Sequence, residues 1–307
     1  MKRLLITGAS GFIGSRLAIR AREAGHEVTA TSRRVTPELE AALGQKVLPW
    51  NVLDEKTVPA NVDADVILHC ATANDILSRD FAAGTRLSVE GTRNVLEVAL
   101  RGGVRNVVFF STLQVYGTEL EGRITEATPP RCESPYGLNH LLGEEVCRLY
   151  ANKHGMNVAL VRPANVYGVP DAPTVERSTL VPMCFVKKVL EGGALELMSS
   201  GRQQRNFVST DEVADVCLKL VSNFPTGANV FNAGSDWLAS IREIAEMVVE
   251  ERPGQVELKI HADQPLRGNE FTLESVLADL RPDVEGSRQR MRQVIRGLFD
   301  HFARRSA

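Results

Sequence analysis

Three glycines near the N-terminus have the spacing of a phosphate-binding turn. They are Gly8, Gly11 and Gly14, in the segment TGASGFIG at residues 7–14, after an apolar run and at the start of a helical pattern. The first two permit a tight turn and a close approach to a pyrophosphate, and Gly14 permits close packing of helix on sheet. The helix N-terminus adds free N–H donors. The segment therefore predicts a dinucleotide site, and a purely structural turn is the alternative.

The end of the second apolar run indicates which dinucleotide binds. The sequence Ser32-Arg33-Arg34 stands about 20 residues past the glycines, where an acid normally holds the ribose hydroxyls of NAD. There is no carboxylate here to repel a 2′-phosphate, and two guanidinium groups can bind it through charge-assisted hydrogen bonds. We expect NADP(H) as the preferred cofactor, with NAD(H) as a second possibility. The alternative is a solvent-exposed basic loop.

Hydrophobic patterns predict the elements that position these groups. In the first half of the chain, apolar runs at 4–6, 28–30, 47–49, 66–68 and 107–110 alternate with helical patterns at 13–24 and 89–100. A helix at 135–154 and a strand at 158–161 follow, as in βαβ units on a parallel sheet. We predict an α/β fold, a doubly wound parallel Rossmann sheet with a smaller C-terminal α/β substrate-binding lobe. The dinucleotide-binding domain spans 1–166 plus about 209–235, and the lobe spans 167–208 plus 236–307.

Composition and charge exclude several classes of protein. The chain has 307 residues, 43% apolar and 24% charged, which is ordinary for a soluble globular protein. A formal charge of -2 provides no basic field for nucleic acid or an anionic membrane, and we interpret the arginine-rich face of the last helix as solvated. No segment resembles a signal peptide or a membrane span, so we expect a cytoplasmic protein. Five cysteines without CxxC spacing predict reduced thiols and no metal site.

Six further segments are similar to the extended short-chain dehydrogenase/reductase family, in its branch of nucleotide-sugar epimerases, dehydratases and ketoreductases. The glycine spacing matches that family, and the other motifs occur in order at 65–71 (DVILHCA), 89–96 (VEGTRNVL), 111–117 (STLQVYG), 134–137 (SPYG), 162–168 (RPANVYG) and 205–214 (RNFVSTDEVA). Their joint occurrence over nearly the whole chain makes the resemblance specific. It implies a nucleotide-sugar substrate, bound in the smaller lobe, and a homodimer.

The resemblance also implies a catalytic centre. Tyr136 would be the acid/base, and Thr112 would orient the substrate oxygen. The family has a lysine four residues after the tyrosine, where it binds the nicotinamide ribose and lowers the pKa of the tyrosine. This chain has His140 there, and Ser88 replaces the family's asparagine. Histidine has a shorter reach and is largely uncharged near neutral pH.

Three interpretations of this departure stay open. The enzyme works with a protonated His140 or with the help of the cofactor's charge; it is a slow or specialised catalyst; or the site binds without turnover. We favour an enzyme, because Thr112 and Tyr136 both remain.

The resemblance, the glycine turn and the Arg33-Arg34 pair together predict the binding residues. Cofactor contacts are predicted at Gly8, Ser10, Gly11, Phe12, Ile13, Gly14, Ser32, Arg33, Arg34, Asn51, Val52, Cys70, Ala71, Tyr136 and His140. Substrate contacts are predicted at Thr112, Asn165, Val181, Arg205 and Arg267. Two arginines that converge on a diphosphate would act as permanently charged, bidentate clamps.

The residues after Thr112 argue against one of the reactions that this family catalyses. A 4,6-dehydratase would carry an acid pair there, and this chain has Leu113-Gln114, which disfavours dehydration. Because the two arginines favour NADPH, the first hypothesis is reduction of a nucleotide-linked 4-keto (deoxy)sugar. The alternatives are an NAD(P)-dependent nucleotide-sugar 4-epimerase and a non-catalytic dinucleotide-binding sensor or scaffold.

Overall fold

The computed structural model describes residues 1–59, 62–171, 175, 177, 179–192, 194–252, 256–261 and 271–306. The strands are β1 (Arg3–Thr7), β2 (Glu27–Ser32), β3 (Val47–Pro49), β4 (Val66–His69), β5 (Asn106–Phe110), β6 (Gly122–Ile124), β7 (Asn157–Pro163), β8 (Asn165–Tyr167), β9 (Leu195–Leu197), β10 (Gln204–Ser209), β11 (Ala228–Ala233), β12 (Leu238–Ser240), β13 (Leu258–Ile260) and β14 (Phe271–Leu273). The α-helices are α1 (Phe12–Glu23), α2 (Pro37–Leu43), α3 (Phe81–Arg86), α4 (Thr92–Arg101), α5 (Pro135–His154), α6 (Met183–Leu190), α7 (Thr210–Ser222), α8 (Ile241–Glu250) and α9 (Val284–Ser306). A π-helical turn, Leu87–Gly91, joins α3 to α4.

Seven parallel strands form the central sheet, in the order β11-β7-β5-β4-β1-β2-β3. Every residue of β4 is buried, as expected for a strand with helices on both faces of the sheet. The strand order reverses between β1 and β4, and ligands of such folds bind beyond the carboxyl ends of the strands at this point. The predicted α/β, doubly wound parallel sheet is confirmed.

Local signals fix the start and the end of α5, the helix that carries Tyr136. Ser134 caps its N-terminus by accepting a hydrogen bond from the N–H of Gly137 at 3.1 Å, and Pro135 occupies the first turn. Gly155 ends the helix in the left-handed conformation, with φ +63°. The cap therefore places Tyr136 within the first turn of the helix.

The later part of the chain contains smaller sheets. β12, β10 and β8 form one of them, while β13 pairs with β9 and β14 pairs with β6. β11, which lies far along the chain, returns to the central sheet and pairs with β7. The division of dinucleotide and substrate binding between the two parts stays a prediction.

The arginine side chains on one face of α9 are solvent-exposed, and they also form ion pairs within the chain. Arg288, Arg292 and Arg296 form ion pairs with Glu243, Glu250 and Glu251, in or next to α8, at 2.6–2.9 Å. These positive charges therefore have acidic partners within the chain.

Other expectations from composition can be compared with the described residues. No helix among them is long and apolar enough to cross a membrane. All five cysteines are free thiols, and no cluster of potential metal ligands occurs in the described part of the chain.

Candidate active site

The glycine turn lies between β1 and α1, and its shape requires glycine. Gly8 has φ +68°, and a Cβ there would be 2.8 Å from the backbone nitrogen of Ala71. A Cβ on Gly14 would be 2.3 Å from the carbonyl oxygen of Gly8. Gly11 is the N-cap of α1 and has no side chain to satisfy the N–H groups of the first turn, which includes Phe12 and Ile13. These features fit a dinucleotide pyrophosphate.

The end of β4 closes one side of this turn. Cys70 and Ala71 lie against Gly8, and the Ala71 N–H donates to Thr7 Oγ1 at 3.2 Å. The ring of His69 connects Thr7 Oγ1, at 2.8 Å from Nδ1, to Thr92 Oγ1, at 3.3 Å from Nε2. Burial lowers the pKa of His69 to about 3, so this histidine is a neutral structural link.

The end of β2 presents hydroxyl groups and arginines in place of a carboxylate. Ser32 Oγ lies 2.8 Å from Ser10 Oγ and 2.8 Å from the carbonyl oxygen of Arg34. Arg33 and Arg34 are exposed, and neither forms an ion pair with a carboxylate in the described ranges. The two guanidinium groups are therefore available to an anionic ligand near Ser10.

The predicted adenine-edge residues form a turn after β3. Asn51 Oδ1 accepts a hydrogen bond from the N–H of Leu53 at 3.2 Å. The carbonyl oxygen of Val52 accepts one from Asn94 Nδ2 in α4 at 2.8 Å. These bonds tie the turn to α4, and its contact with adenine stays a prediction.

Thr112 and Tyr136 are brought together from two elements that are distant in sequence. Thr112 follows β5, and its side chain acts on the hydroxyl of Tyr136 in the first turn of α5. Burial raises the pKa of Tyr136, while the charge of Arg177 and the side chain of Thr112 oppose this shift. The site therefore holds a protonated phenol next to a second hydroxyl, an arrangement suited to proton donation.

His140 lies one helical turn after Tyr136 and is 3% exposed. Its Nδ1 is 3.1 Å from the carbonyl oxygen of Phe110, and its Nε2 is 3.0 Å from that of Ala73. The Tyr136 ring packs against the imidazole in an edge-on geometry, with 4.6 Å between centroids. Burial lowers the pKa of His140 to about 4, while the two carbonyl contacts oppose this shift. In its neutral form the ring has one N–H and donates to only one of the two carbonyl oxygens. The contact of His140 with the cofactor ribose stays a prediction. In the structure both ring nitrogens face backbone carbonyls.

Two ion pairs near Tyr136 escaped the sequence reasoning. Glu144, one turn after His140, forms a bidentate pair with Arg162, at 2.8 Å from Nε and 2.5 Å from Nη2. Arg177 Nη1 lies 2.8 Å from Asp75 Oδ1. The spacing of four residues between Tyr136, His140 and Glu144 could have indicated the first pair. Nothing in the sequence pattern connects the partners of the second.

The structure describes four of the five predicted substrate residues. Asn165 in β8 donates from Nδ2 to the carbonyl oxygen of Asn206 at 2.9 Å. Arg205 is partly buried in the neighbouring strand β10, where desolvation lowers its pKa. Val181 is partly exposed just before α6. Arg267 lies outside the described residues, so the predicted pair of diphosphate clamps stays a prediction.

The buried hydroxyl of Ser88 stands where the resembled family has an asparagine. Ser88 lies in the π-helical turn, and its Oγ has no hydrogen-bond partner among the described residues. The serine thus leaves a buried polar atom unpaired at a place where the helix is already irregular.

Comparison with family models decides the classification. Residues 4–234 match the model described as the NAD dependent epimerase/dehydratase family. The chain belongs to this family. The sequence-based assignment to the epimerase/dehydratase branch of the extended short-chain dehydrogenases/reductases, and thus to a family of enzymes, is confirmed.

Relatives within the family catalyse different reactions. The chain is 30% identical over 260 residues to the UDP-N-acetyl-alpha-D-glucosaminuronate decarboxylase of Bacillus cytotoxicus, which covers 80% of this chain and 78% of the relative. It is 29% identical over 267 residues to a dTDP-4-dehydro-6-deoxy-D-allose reductase of a Streptomyces species, covering 81% and 80%. The structure of MoeE5 in complex with UDP-glucuronic acid and NAD superposes with a TM-score of 0.82 at 24% identity, covering 99% of this chain and 100% of MoeE5. The similarity to the MoeE5 structure establishes the fold.

Proposed function

We propose that this protein reduces a nucleotide-linked 4-keto (deoxy)sugar with NADPH. The observation that carries the proposal is the end of β2, where Ser32 replaces the usual acid and the exposed Arg33 and Arg34 follow. Two permanently charged guanidinium groups favour a cofactor with a 2′-phosphate. The similarity to the Streptomyces reductase supports the same substrate class.

The residues of the chain account for the binding and proton-transfer steps. When it is bound, the nicotinamide supplies a hydride to C4 of the keto sugar. The glycine turn and the first turn of α1 would hold the pyrophosphate, and Arg33 with Arg34 would hold the 2′-phosphate. Tyr136 donates its phenol proton to the C4 oxygen, which becomes a hydroxyl, and Thr112 orients both oxygens. The Tyr136 phenolate then regains a proton from solvent.

The electrostatics of Tyr136 favour reduction over epimerisation. Reduction needs a protonated tyrosine, and burial raises the pKa of Tyr136, so the phenol form persists at neutral pH. A 4-epimerase must first oxidise its substrate, and for that step the tyrosine has to accept a proton as a phenolate. The lysine that would stabilise a phenolate is replaced by His140, which burial keeps neutral. The absence of acids at Leu113-Gln114 separately disfavours dehydration.

If Arg33 and Arg34 bind the 2′-phosphate, their replacement should weaken the use of NADPH more than that of NADH. The double variant Arg33→Ser/Arg34→Ser is expected to lower kcat/KM for NADPH by about 10- to 100-fold, because it removes charge-assisted bonds to the 2′-phosphate. The value for NADH should change by less than about threefold, since NADH has no such phosphate.

Steady-state kinetics with both cofactors provide the measurement. Arg101→Ser, at an exposed arginine near the end of α4, is the matched control for loss of positive charge. Equal decreases in kcat/KM with NADPH and NADH would show that the two arginines do not bind the 2′-phosphate.

The reaction is tested with a panel of nucleotide 4-keto-6-deoxysugars and nucleotide hexoses. Purified protein is incubated with NADPH or NADH, and cofactor absorbance and product chromatography are followed together. Loss of NADPH with an equal amount of reduced sugar is the expected result. Sugar isomerisation without net cofactor loss would replace the proposal with a 4-epimerase. Cofactor binding with no product on the whole panel would favour a sensor or scaffold. The cytoplasmic location and the homodimer stay predictions.

A further inference from the structure

Thr112 and Tyr136 can act together in proton transfer only if two separate elements hold them at a fixed distance. Thr112 stands at the start of a 3₁₀ turn, Leu113–Tyr116, and Tyr136 lies in the first turn of α5. A displacement of about 1 Å between reacting groups can cost about 100-fold in rate. A contact between these two turns would therefore affect the rate without touching the substrate.

The side chain of Gln114 makes such a contact. Its Oε1 accepts a hydrogen bond from Ser134 Oγ at 3.1 Å, and the same Oγ, at the N-cap of α5, accepts one from the N–H of Gly137 at 3.1 Å. A serine hydroxyl has one proton to donate, and Gln114 Oε1 is its acceptor. Gln114 is thereby bonded to the helix cap, two residues before Tyr136.

The backbone of Gln114 makes two further contacts with these turns. Its N–H donates to Thr112 Oγ1 at 3.3 Å. This bond occupies one lone pair of the Thr112 hydroxyl and leaves its proton and its second lone pair for other partners. The carbonyl oxygen of Gln114 lies against Gly137, where a Cβ would be only 2.5 Å away. Glycine at position 137 therefore permits the close approach of the 3₁₀ turn to α5.

A second link to α5 lies on the other side of Thr112. The buried Ser111 Oγ donates to Glu144 Oε1 in α5 at 2.5 Å. Both neighbours of the Thr112 segment are thus bonded to the helix that carries Tyr136. Gln114 is partly exposed and uncharged, so its link can be removed without leaving a buried charge unpaired.

We propose that Gln114 is a positioning residue, whose hydrogen bond with Ser134 holds Thr112 at the distance from Tyr136 that proton transfer requires. The proposal rests on the proposed function, in which Tyr136 donates the proton. It also gives a reason for a neutral side chain at position 114. An amide oxygen accepts the Ser134 hydrogen bond as a carboxylate would, but it adds no negative charge beside the helix turn that presents the phenol.

A double-mutant cycle tests whether Gln114 acts through Ser134. Gln114→Met keeps the length of the side chain and removes the acceptor. Single-turnover reduction with saturating NADPH should slow by about 10-fold, while NADPH affinity changes by less than about threefold, because the substitution displaces only the proton-transfer groups. Ser134→Gly removes the same bond from its other end. The double variant should be no slower than the slower single variant, since both substitutions delete one interaction.

The ionisation of Tyr136 gives a readout that needs no turnover. With 3-fluorotyrosine at the four tyrosines, the Tyr136 ¹⁹F signal is assigned by its loss in Tyr136→Phe. The side chain of Thr112 lowers the pKa of Tyr136, so Thr112→Val should raise the titration midpoint. Gln114→Met is expected to raise the midpoint by about 0.5 pH unit, and to add nothing in the Thr112→Val background. Circular dichroism at each pH confirms that the variants stay folded.

Gln289→Met, at an exposed glutamine of α9, is the matched control for loss of an amide. If Gln114→Met shared the rate and the midpoint of this control, the proposal would be overturned. Additive losses of rate in the double variant would also overturn it, because Gln114 would then act independently of Ser134. If the wild-type protein reduced no sugar on the panel, the proposed reaction would fail, and the midpoints would still decide the role of Gln114.

Discussion

Tyr136→Phe is expected to lower kcat for keto-sugar reduction by about 10³-fold, because it removes the proton that the C4 oxygen must receive. The substitution deletes one hydroxyl and retains the ring that packs edge-on against His140 at 4.6 Å. NADPH affinity should therefore change by less than about threefold. Single-turnover kinetics with saturating NADPH give the rate constant, and cofactor fluorescence gives the affinity.

Tyr150→Phe is the matched control for this loss of a hydroxyl. Tyr150 belongs to the same helix, but its hydroxyl donates to Glu97 and is remote from Thr112 in the chain. We expect turnover of this variant to stay within about twofold of wild type. If Tyr136→Phe also kept wild-type turnover, Tyr136 would not be the acid and the proposed reduction would need another proton donor.

The pH dependence of the wild-type rate identifies the titrating group. Burial raises the pKa of Tyr136 above its ordinary value of about 10, so the phenol acid is present through the neutral range. The rate should stay level near neutral pH and fall only as the pH rises through the tyrosine pKa. A fall in rate between about pH 6 and 7 would instead indicate a protonated imidazole at His140, against the lowered pKa of that ring.

The central sheet could be predicted because its local patterns agree with the tertiary structure. The helix predicted at 135–154 has those bounds in α5, since Ser134 and Gly155 provide strong start and stop signals. The helix predicted at 89–100 begins as a π-helical turn and becomes α4 only at Thr92. Hydrophobic periodicity cannot distinguish these helix types, because the extra residue in the turn changes the spacing by a single position.

The smaller sheets could not be predicted because their pairings are long-range. β6 pairs with β14 and β9 with β13, and each of these strands has three residues. Such short strands carry little periodicity, and partners that are far apart in the chain share no local signal.

The sequence could predict which residues meet in the candidate site only where the order of the strands brings them together. The carboxyl ends of β1, β2 and β4 meet at one edge of the sheet, so Gly8, Ser32 and Ala71 could be assigned to one site from strand order. The Asp75–Arg177 pair could not, because it joins two loops 102 positions apart. The contacts of His140 also depend on carbonyl groups, whose directions the amino-acid types do not specify.

The largest expected effect on stability concerns the buried ion pair between Glu144 and Arg162, which fixes α5 on the sheet. Arg162 is 1% exposed and Glu144 is 0% exposed, and Glu144 Oε1 also accepts a hydrogen bond from Ser111 at 2.5 Å. The guanidinium of Arg162 lies over the Tyr116 ring, 4.7 Å from its centroid. Removal of one partner leaves the other charge buried without compensation. Glu144→Leu should therefore lower the free energy of unfolding by about 3–5 kcal/mol.

Two further variants show whether the loss comes from an unpaired charge or from packing. Glu144→Leu/Arg162→Met is expected to be more stable than Glu144→Leu, because no isolated charge remains in the core. Glu145→Leu, at an exposed neighbour in α5, should change the free energy of unfolding by less than about 0.5 kcal/mol. Urea denaturation followed by circular dichroism measures all three. A double variant less stable than Glu144→Leu would mean that the pair stabilises the fold beyond mutual neutralisation. Glu144 lies two helical turns beyond Tyr136 in α5, so the pair anchors to the sheet the same helix that presents the phenol.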